Sequence, residues 1–248
     1  MQSIRLKGRI MMRKILVTND DGIDSDGIVR LVKTAAKFGE VWVVAPCKQY
    51  SAMSHSATFW TPIDVWPVDF PVEGVHAFAT SGTPSDCICV ALNAVLPFKP
   101  DVVFCGINAG YNIASSIQYS GTCGAAFEAS NQGFHTIAFS EYHEGTHEVT
   151  DKYIEEIASV LIDKPLGVNE IWNVNFPGCS LEECKGIKYG CVVSPVPFFS
   201  GGYKEIKKDG DKITYMIDYK PVWEAEEGTD LRALIDNYVA VGKVKNYS

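Results

Sequence analysis

Between Lys14 and Arg30 the sequence has no lysine or arginine, although the stretch KILVTNDDGIDSDG places Asp20, Asp21, Asp24 and Asp26 there. Two unit charges about 4 Å apart at an effective dielectric of about 20 repel by roughly 4 kcal/mol, so adjacent carboxylates call for water or a cation. Also missing is any apolar run approaching the ~18 residues of a membrane span. The start, MQSIRLKGRIMMRK, has bases but neither the apolar segment nor the small-residue cleavage site of a secretory signal. A cytoplasmic protein with no membrane partner is expected. Residues 1–13 read as an extension, because the first strand begins at Lys14; Met11 and Met12 offer alternative starts.

Positive charge is scarce throughout: 22 Lys and Arg stand against 30 Asp and Glu, a formal charge of −8. The summed field repels DNA or RNA, which excludes a nucleic-acid partner but not a small phosphate ester carried with a metal. Eight cysteines in 248 residues include no C-x-x-C pair. They read as small buried hydrophobes or reduced thiols rather than a disulfide framework. His143 and His147 have the spacing of a zinc helix, but Gly145 and Thr146 interrupt it and no H-E-x-x-H is present.

Hydrophobic residues make up 46%, ample for a packed core. KILVTN is an apolar run of strand length; Ile28, Leu31, Val32, Ala35 and Ala36 then recur as a helical stripe that Gly39 stops. EVWVVAP reads as a second strand. GTPSDCICVALNAVLP reads as a helix capped by Thr83, with Pro84 in its first position and an end near Leu96. DVVFCGIN and HTIAFS are buried strands flanking GTCGAAFEASNQGF, a short helix of small residues ending at Gly133. Another helix after residue 150 and the strand IWNVNFP follow. Alternating strands and helices mean a parallel sheet with right-handed crossovers. Around Asp209 and Gly210, YKEIKKDGDKITYMIDY reads as a hairpin whose Tyr215, Met216 and Tyr219 suit a contact with another subunit. The expected fold is α/β, a Rossmann-like three-layer α/β/α sandwich with a mostly parallel sheet and a C-terminal antiparallel hairpin. One domain over 14–248 is expected, its core about 14–180 and its arm about 185–248.

The chemistry-bearing segments fall where strands give way to loops or helices begin, the edge where open α/β sheets bind ligands. Asp20 and Asp21 can share a cation only if the chain leaves strand geometry there, and Gly22 permits that turn. Mg²⁺ or Mn²⁺ suits two hard carboxylates, completed by water, a serine hydroxyl or an asparagine amide oxygen. Asp24 and Asp26 read as solvated. Asn19 beside the pair, and Gly82 and Thr83 at a helix start, are further substrate-binding candidates. In YSGTCGAA, Ser120, Gly121 and Thr122 open a helix whose N–H groups and hydroxyls attract an anion.

ILVTNDDGI, SGTPSDC, GINAGYN, YSGTCGAAFEA, WNVNFP and GTDLRAL, in that order, carry a resemblance spanning about residues 14–245. The chain resembles the SurE family, the survival protein E nucleotidases. The resemblance implies divalent-metal-dependent hydrolysis of nucleoside 5′- and 3′-monophosphates to nucleoside and phosphate. It also implies homodimers or homotetramers with swapped C-terminal arms, and one Mg²⁺ or Mn²⁺ per subunit at Asp20, Asp21, Ser51 and Asn108. Asp20 and Asn108 would be catalytic, and Ser51 and His55 would help hold phosphate. Members of that family commonly carry an acidic residue and arginines where this chain has CKQYS, and a glycine where it has Ala114; the ending DNYVAVGKV differs too.

Both activated-water attack and an aspartyl-phosphate formed on Asp20 fit these residues. A receiver domain needs a third Asp and a Lys at later strand ends, where this chain has Cys105 to Asn108 and Ser140-Glu141. A non-catalytic nucleotide-binding module on the same sheet edge is the remaining alternative.

Overall fold

The structure, a computed structural model, describes residues 4–6 and 9–247. In chain order its elements are β1 (Ile4–Leu6), β2 (Arg9–Met11), β3 (Arg13–Thr18), α1 (Asp26–Ala35), β4 (Gly39–Pro46), β5 (Val65–Pro67), β6 (His76–Thr80) and α2 (Pro84–Val90). Next come β7 (Val102–Ala109), α3 (Gly121–Asn131), β8 (Thr136–Glu141), α4 (Glu148–Leu161), β9 (Glu170–Phe176) and β10 (Ile187–Cys191). The hairpin β11 (Phe199–Asp209) and β12 (Lys212–Pro221), then α5 (Asp230–Ile235) and β13 (Val239–Lys245), complete the chain.

Nine strands form one sheet in the order β10-β13-β9-β8-β7-β3-β4-β6-β5. The run from β9 to β6 is parallel throughout; β5 and β13 join it antiparallel. Alternation along β3 shows how the layers are filled. Ile15 and Val17 face the cluster that holds Ile28, Leu31 and Val32 of α1 and Ile154 and Ile157 of α4. Leu16 faces the opposite cluster, with Cys87 and Ile88 of α2 and Cys123, Ala125 and Ala126 of α3. Two helices on each face of a twisted parallel sheet give the three-layer sandwich expected. Small residues on α3 let it approach the sheet closely, and all eight cysteines are free.

Several details depart from expectation. Helix α1 ends at Ala35, whose carbonyl accepts the Phe38 N–H at 2.8 Å, and Gly39 opens β4 instead of stopping the helix. The GTPSDC helix becomes a π turn over Ala91–Val95 before Pro97. The expected extension, residues 1–13, contains the β1–β2 pair and the start of β3 at Arg13; residues 1–3, 7 and 8 lie outside those described. Strands β5, β6, β10 and β13 had no counterpart in the sequence reading. The hairpin is where expected, its turn at Gly210, and Tyr203, Tyr215, Met216, Ile217 and Tyr219 are exposed on it. No helix among the described residues is long and apolar enough to cross a membrane.

Candidate active site

After Thr18 the chain leaves β3, and Gly22 takes φ +100°, a conformation an L side chain rarely adopts. Asn19 braces this turn, its Nδ2 donating to the Gly22 carbonyl at 2.9 Å and to Ser25 Oγ at 2.8 Å. The two carboxylates take different partners. Asp20 is 2% exposed and turns toward α3, where the Thr122 hydroxyl donates to its Oδ1. Asp21 turns toward β7: its Oδ2 accepts the Ala109 N–H at 2.9 Å and its Oδ1 accepts Gln49 Nε2 at 3.2 Å.

Neither carboxylate pairs with a lysine or arginine among the described residues. Burial, helped by the neighbouring Asp21 charge and opposed by the hydrogen bond from Thr122, pushes the Asp20 pKa up from 3.8 to about 7. The approach of α3 is tight, since a Cβ on Gly121 would sit 2.8 Å from Asp20 Oδ2. Ser120 caps this helix, its Oγ accepting the Cys123 N–H at 3.0 Å.

Asn108 arrives by a different device. The pairing of β7 with β8 slips between Cys105 and Asn108, a bulge that re-aims the strand end. Asn108 Nδ2 then donates to the Gly110 carbonyl at 2.7 Å, leaving its amide oxygen for other use. Four residues on, Asn112 is a buried hub. Its N–H donates to Asn175 Oδ1 at 2.8 Å, its Nδ2 donates to Ser140 Oγ at 2.8 Å, and its carbonyl accepts from Asn173 and Asn175. These asparagines fix the GINAGYN loop to the end of β9. Sequence reasoning recognised both motifs without this role; two asparagines on one face of the WNVN strand were the signal.

The loop after β4 is fastened at three points. The Tyr50 N–H donates to the Asp20 carbonyl at 2.7 Å, the Ser54 N–H to the Tyr119 carbonyl at 2.9 Å, and Thr58 to the buried Asp86 carboxylate through N–H (2.9 Å) and hydroxyl (2.6 Å). Ser51, exposed, follows the first fastening. Asp20, Asp21, Ser51, Asn108, Ser120, Gly121 and Thr122 are thus carried to one edge by four segments. Thr83 Oγ1 caps α2 and donates to the Ser56 carbonyl of the loop after β4 at 2.7 Å, and the Gly82 N–H donates to Thr80 Oγ1 at 3.2 Å. His55 turns to Glu128 of α3, 2.8 Å away, and holds that carboxyl's pKa down at about 2. Asp24 and Asp26 are exposed, as expected of solvated groups. His147 sits in the loop before α4, its Nδ1 3.0 Å from Glu141.

Among the described residues no three His, Cys, Asp or Glu side chains gather as a metal cluster. A cation at the acidic pair would draw its remaining ligands from hydroxyl, amide and water oxygens. The donor set fits a hard ion: two carboxylates without a basic partner, one of them buried, beside a serine hydroxyl and an asparagine amide oxygen. Asn19 Oδ1, buried without a hydrogen-bond partner, adds a further oxygen at the same turn.

The chain matches the family described as survival protein SurE over residues 15–194. It is 38% identical over 231 residues to the 5′-nucleotidase SurE of Clostridium botulinum (strain Loch Maree / Type A3), covering 92% of this chain and 90% of the relative. The 5′-nucleotidase SurE 1 of Chlamydia caviae is 36% identical over 236 residues, covering 92% of this chain and 84% of the relative. The crystal structure of the SurE protein from Aquifex aeolicus superposes with a TM-score of 0.79 at 32% identity, covering 94% of this chain and 93% of that one. The sheet order, the acidic turn after β3 and the helix start facing it therefore go with a shared ancestry, and the chain belongs to the SurE family.

Proposed function

We propose that the protein is a divalent-metal-dependent 5′-nucleotidase that hydrolyses nucleoside monophosphates to nucleoside and inorganic phosphate. The observation that carries this is the Asp20–Asp21 pair, neither member matched by a base, with Asp20 buried against the start of a helix of small residues. The 5′-nucleotidase names of its relatives supply the substrate class. Asp20, Asp21, Ser51 and Asn108 would hold one Mg²⁺ or Mn²⁺. When bound, such an ion polarises phosphoryl oxygens and makes water a better nucleophile.

The protein's own groups do the rest. Thr122 fixes the Asp20 carboxylate through Oδ1 and so sets where the other oxygen points. The Asp20 oxygen that Thr122 leaves free would take up a proton in the attacking step and return it to the leaving alcohol. In the alternative chemistry the same carboxylate would attack phosphorus itself. The start of α3, with Ser120 and Gly121, offers N–H groups and a hydroxyl to the phosphate oxygens. Hydrolysis of 3′-monophosphates, a cytoplasmic setting and a homodimer or homotetramer built through the β11–β12 arm belong to the same proposal, on family resemblance.

The test is phosphate release across nucleoside 5′- and 3′-monophosphates with Mg²⁺, Mn²⁺ and chelator. Activity lost on chelation and regained with metal is expected. No release from any nucleotide sinks the enzyme reading and leaves a nucleotide-binding module.

A further inference from the structure

Beyond Asp21, on the α1 side of the sheet edge, lies a cavity of about 310 Å³, at the lower end of the range for small-molecule sites. Its walls include Asp21, Asp26, Gln49, Ile107, Glu141 and His147. Glu141, at the end of β8, is 6% exposed and only half satisfied. Oε1 accepts Arg30 Nη1 at 2.6 Å and lies 3.0 Å from His147 Nδ1, while Oε2 is buried without a hydrogen-bond partner. Leaving a buried carboxylate oxygen unmet is costly, so it calls for a donor.

We infer that this cavity is the ribose subsite and that Glu141 is its specificity-determining residue, its half-satisfied carboxylate accepting a hydrogen bond from the sugar's vicinal hydroxyls. This rests on the nucleoside monophosphate reading of the acidic pair. Three features favour the sugar over the base. Asp21 belongs to both the proposed metal site and the cavity, and the group joined directly to a 5′-phosphate is the ribose. Three carboxylates, Asp21, Asp26 and Glu141, stand in the walls beside the Ser25 hydroxyl and the His147 ring, a surplus of acceptors that favours a ligand bringing donors, as a diol does. No tryptophan, tyrosine or phenylalanine lines the cavity, so it lacks the broad faces on which a base would stack. An acidic side chain at a strand end accepting from ribose is also the arrangement found in dinucleotide-binding α/β sheets.

Two measurements test it. In the first, adenosine, 2′-deoxyadenosine and 3′-deoxyadenosine compete with p-nitrophenyl phosphate on the wild-type enzyme with Mn²⁺. Removing a hydroxyl that bonds to a charged acceptor should weaken inhibition by about 10-fold or more for at least one deoxynucleoside. In the second, kcat/KM is compared for AMP, 2′-deoxy-AMP and IMP in wild type and Glu141→Gln. The wild-type preference for AMP over 2′-deoxy-AMP should shrink toward unity in the variant, with the AMP to IMP ratio unmoved. If Glu141→Gln does not fold, Glu141→Asp, which withdraws the oxygens by one methylene, is read the same way. Equal inhibition by all three nucleosides, or a ratio that tracks the base amine, overturns the assignment. Hydrolysis of p-nitrophenyl phosphate but of no nucleotide overturns the reading beneath it instead.

Discussion

Thr122 donates its hydroxyl proton to a carboxylate oxygen of Asp20, a residue 102 positions earlier in the chain. This bond is the point where the turn after β3 and the start of α3 share one chemical task. Replacing Thr122 with valine keeps the shape and removes the donor, leaving Asp20 buried with less to stabilise its charge. A fall in kcat of about 10- to 100-fold is expected, or roughly 1.4 to 2.7 kcal/mol, with Thr122→Ser close to wild type. Steady-state kinetics at saturating Mn²⁺ decide it; equal loss in both variants would point to a steric effect.

Asp20→Asn should be inactive at any Mn²⁺ concentration, whereas Asp21→Asn should regain part of its activity as Mn²⁺ rises. An amide oxygen still coordinates metal, but it cannot take a proton or attack phosphorus. Full recovery of both variants would make Asp20 a ligand only.

The metal-free protein gives an independent view of the same carboxylate. Its pKa is about 7 folded against 3.8 as a free side chain, so the folded state holds this proton more tightly. The group's stabilising contribution is complete below about pH 4 and lost as pH rises through about 7, up to about 4 kcal/mol in all. Asp20→Asn, stripped of metal, should therefore melt above the wild type at pH 8, and the gap should close toward pH 4. A variant that melts lower at pH 8 contradicts the repulsion and burial argument.

At the other end of the site, Asn175→Ala removes an acceptor for the Asn112 N–H and a donor to its carbonyl. With both groups buried, a stability loss of about 2 kcal/mol is expected in urea unfolding. Because the same loop carries Asn108, the variant should also bind Mn²⁺ more weakly, which calorimetry would show; unchanged affinity would separate the hub from the metal site.

Removing residues 203–219 takes away the exposed face of the β11–β12 arm, with Tyr203, Tyr215, Met216, Ile217 and Tyr219. Light scattering should then report a monomer. An unchanged oligomer would put the contact elsewhere.

The central sheet was legible because buried parallel strands are continuous apolar runs, as in Val102 to Cys105, and because Thr83 and Pro84 announce a helix start. Short edge strands such as Val65–Pro67 carry no such signal: two of the three residues there are exposed and none is buried. The acidic pair, Gly22 and the Ser120 helix start stood out through residue chemistry and spacing. The partners of His55 and Glu141 did not: each lies on another element, and no local pattern encodes a contact across the sheet. Ala114 illustrates the same limit. It adopts φ +47°, a conformation glycine takes more cheaply, and accepts it where its N–H reaches the buried Asp230 carboxylate at 3.0 Å.

Ser51 hangs between fastenings at Tyr50 and Ser54, and within that short span Ala52 and Ser54 both take positive φ, +59° and +55°. Chain length there is consequently a fixed quantity. One added residue between Tyr50 and Ser54 would have to break a fastening or carry Ser51 away from Asp20, whereas residues added after the Thr58 anchor, around the exposed Phe59 and Trp60, lengthen only a solvent loop. Within homologous sequences, length variation in this loop should therefore gather downstream of position 58.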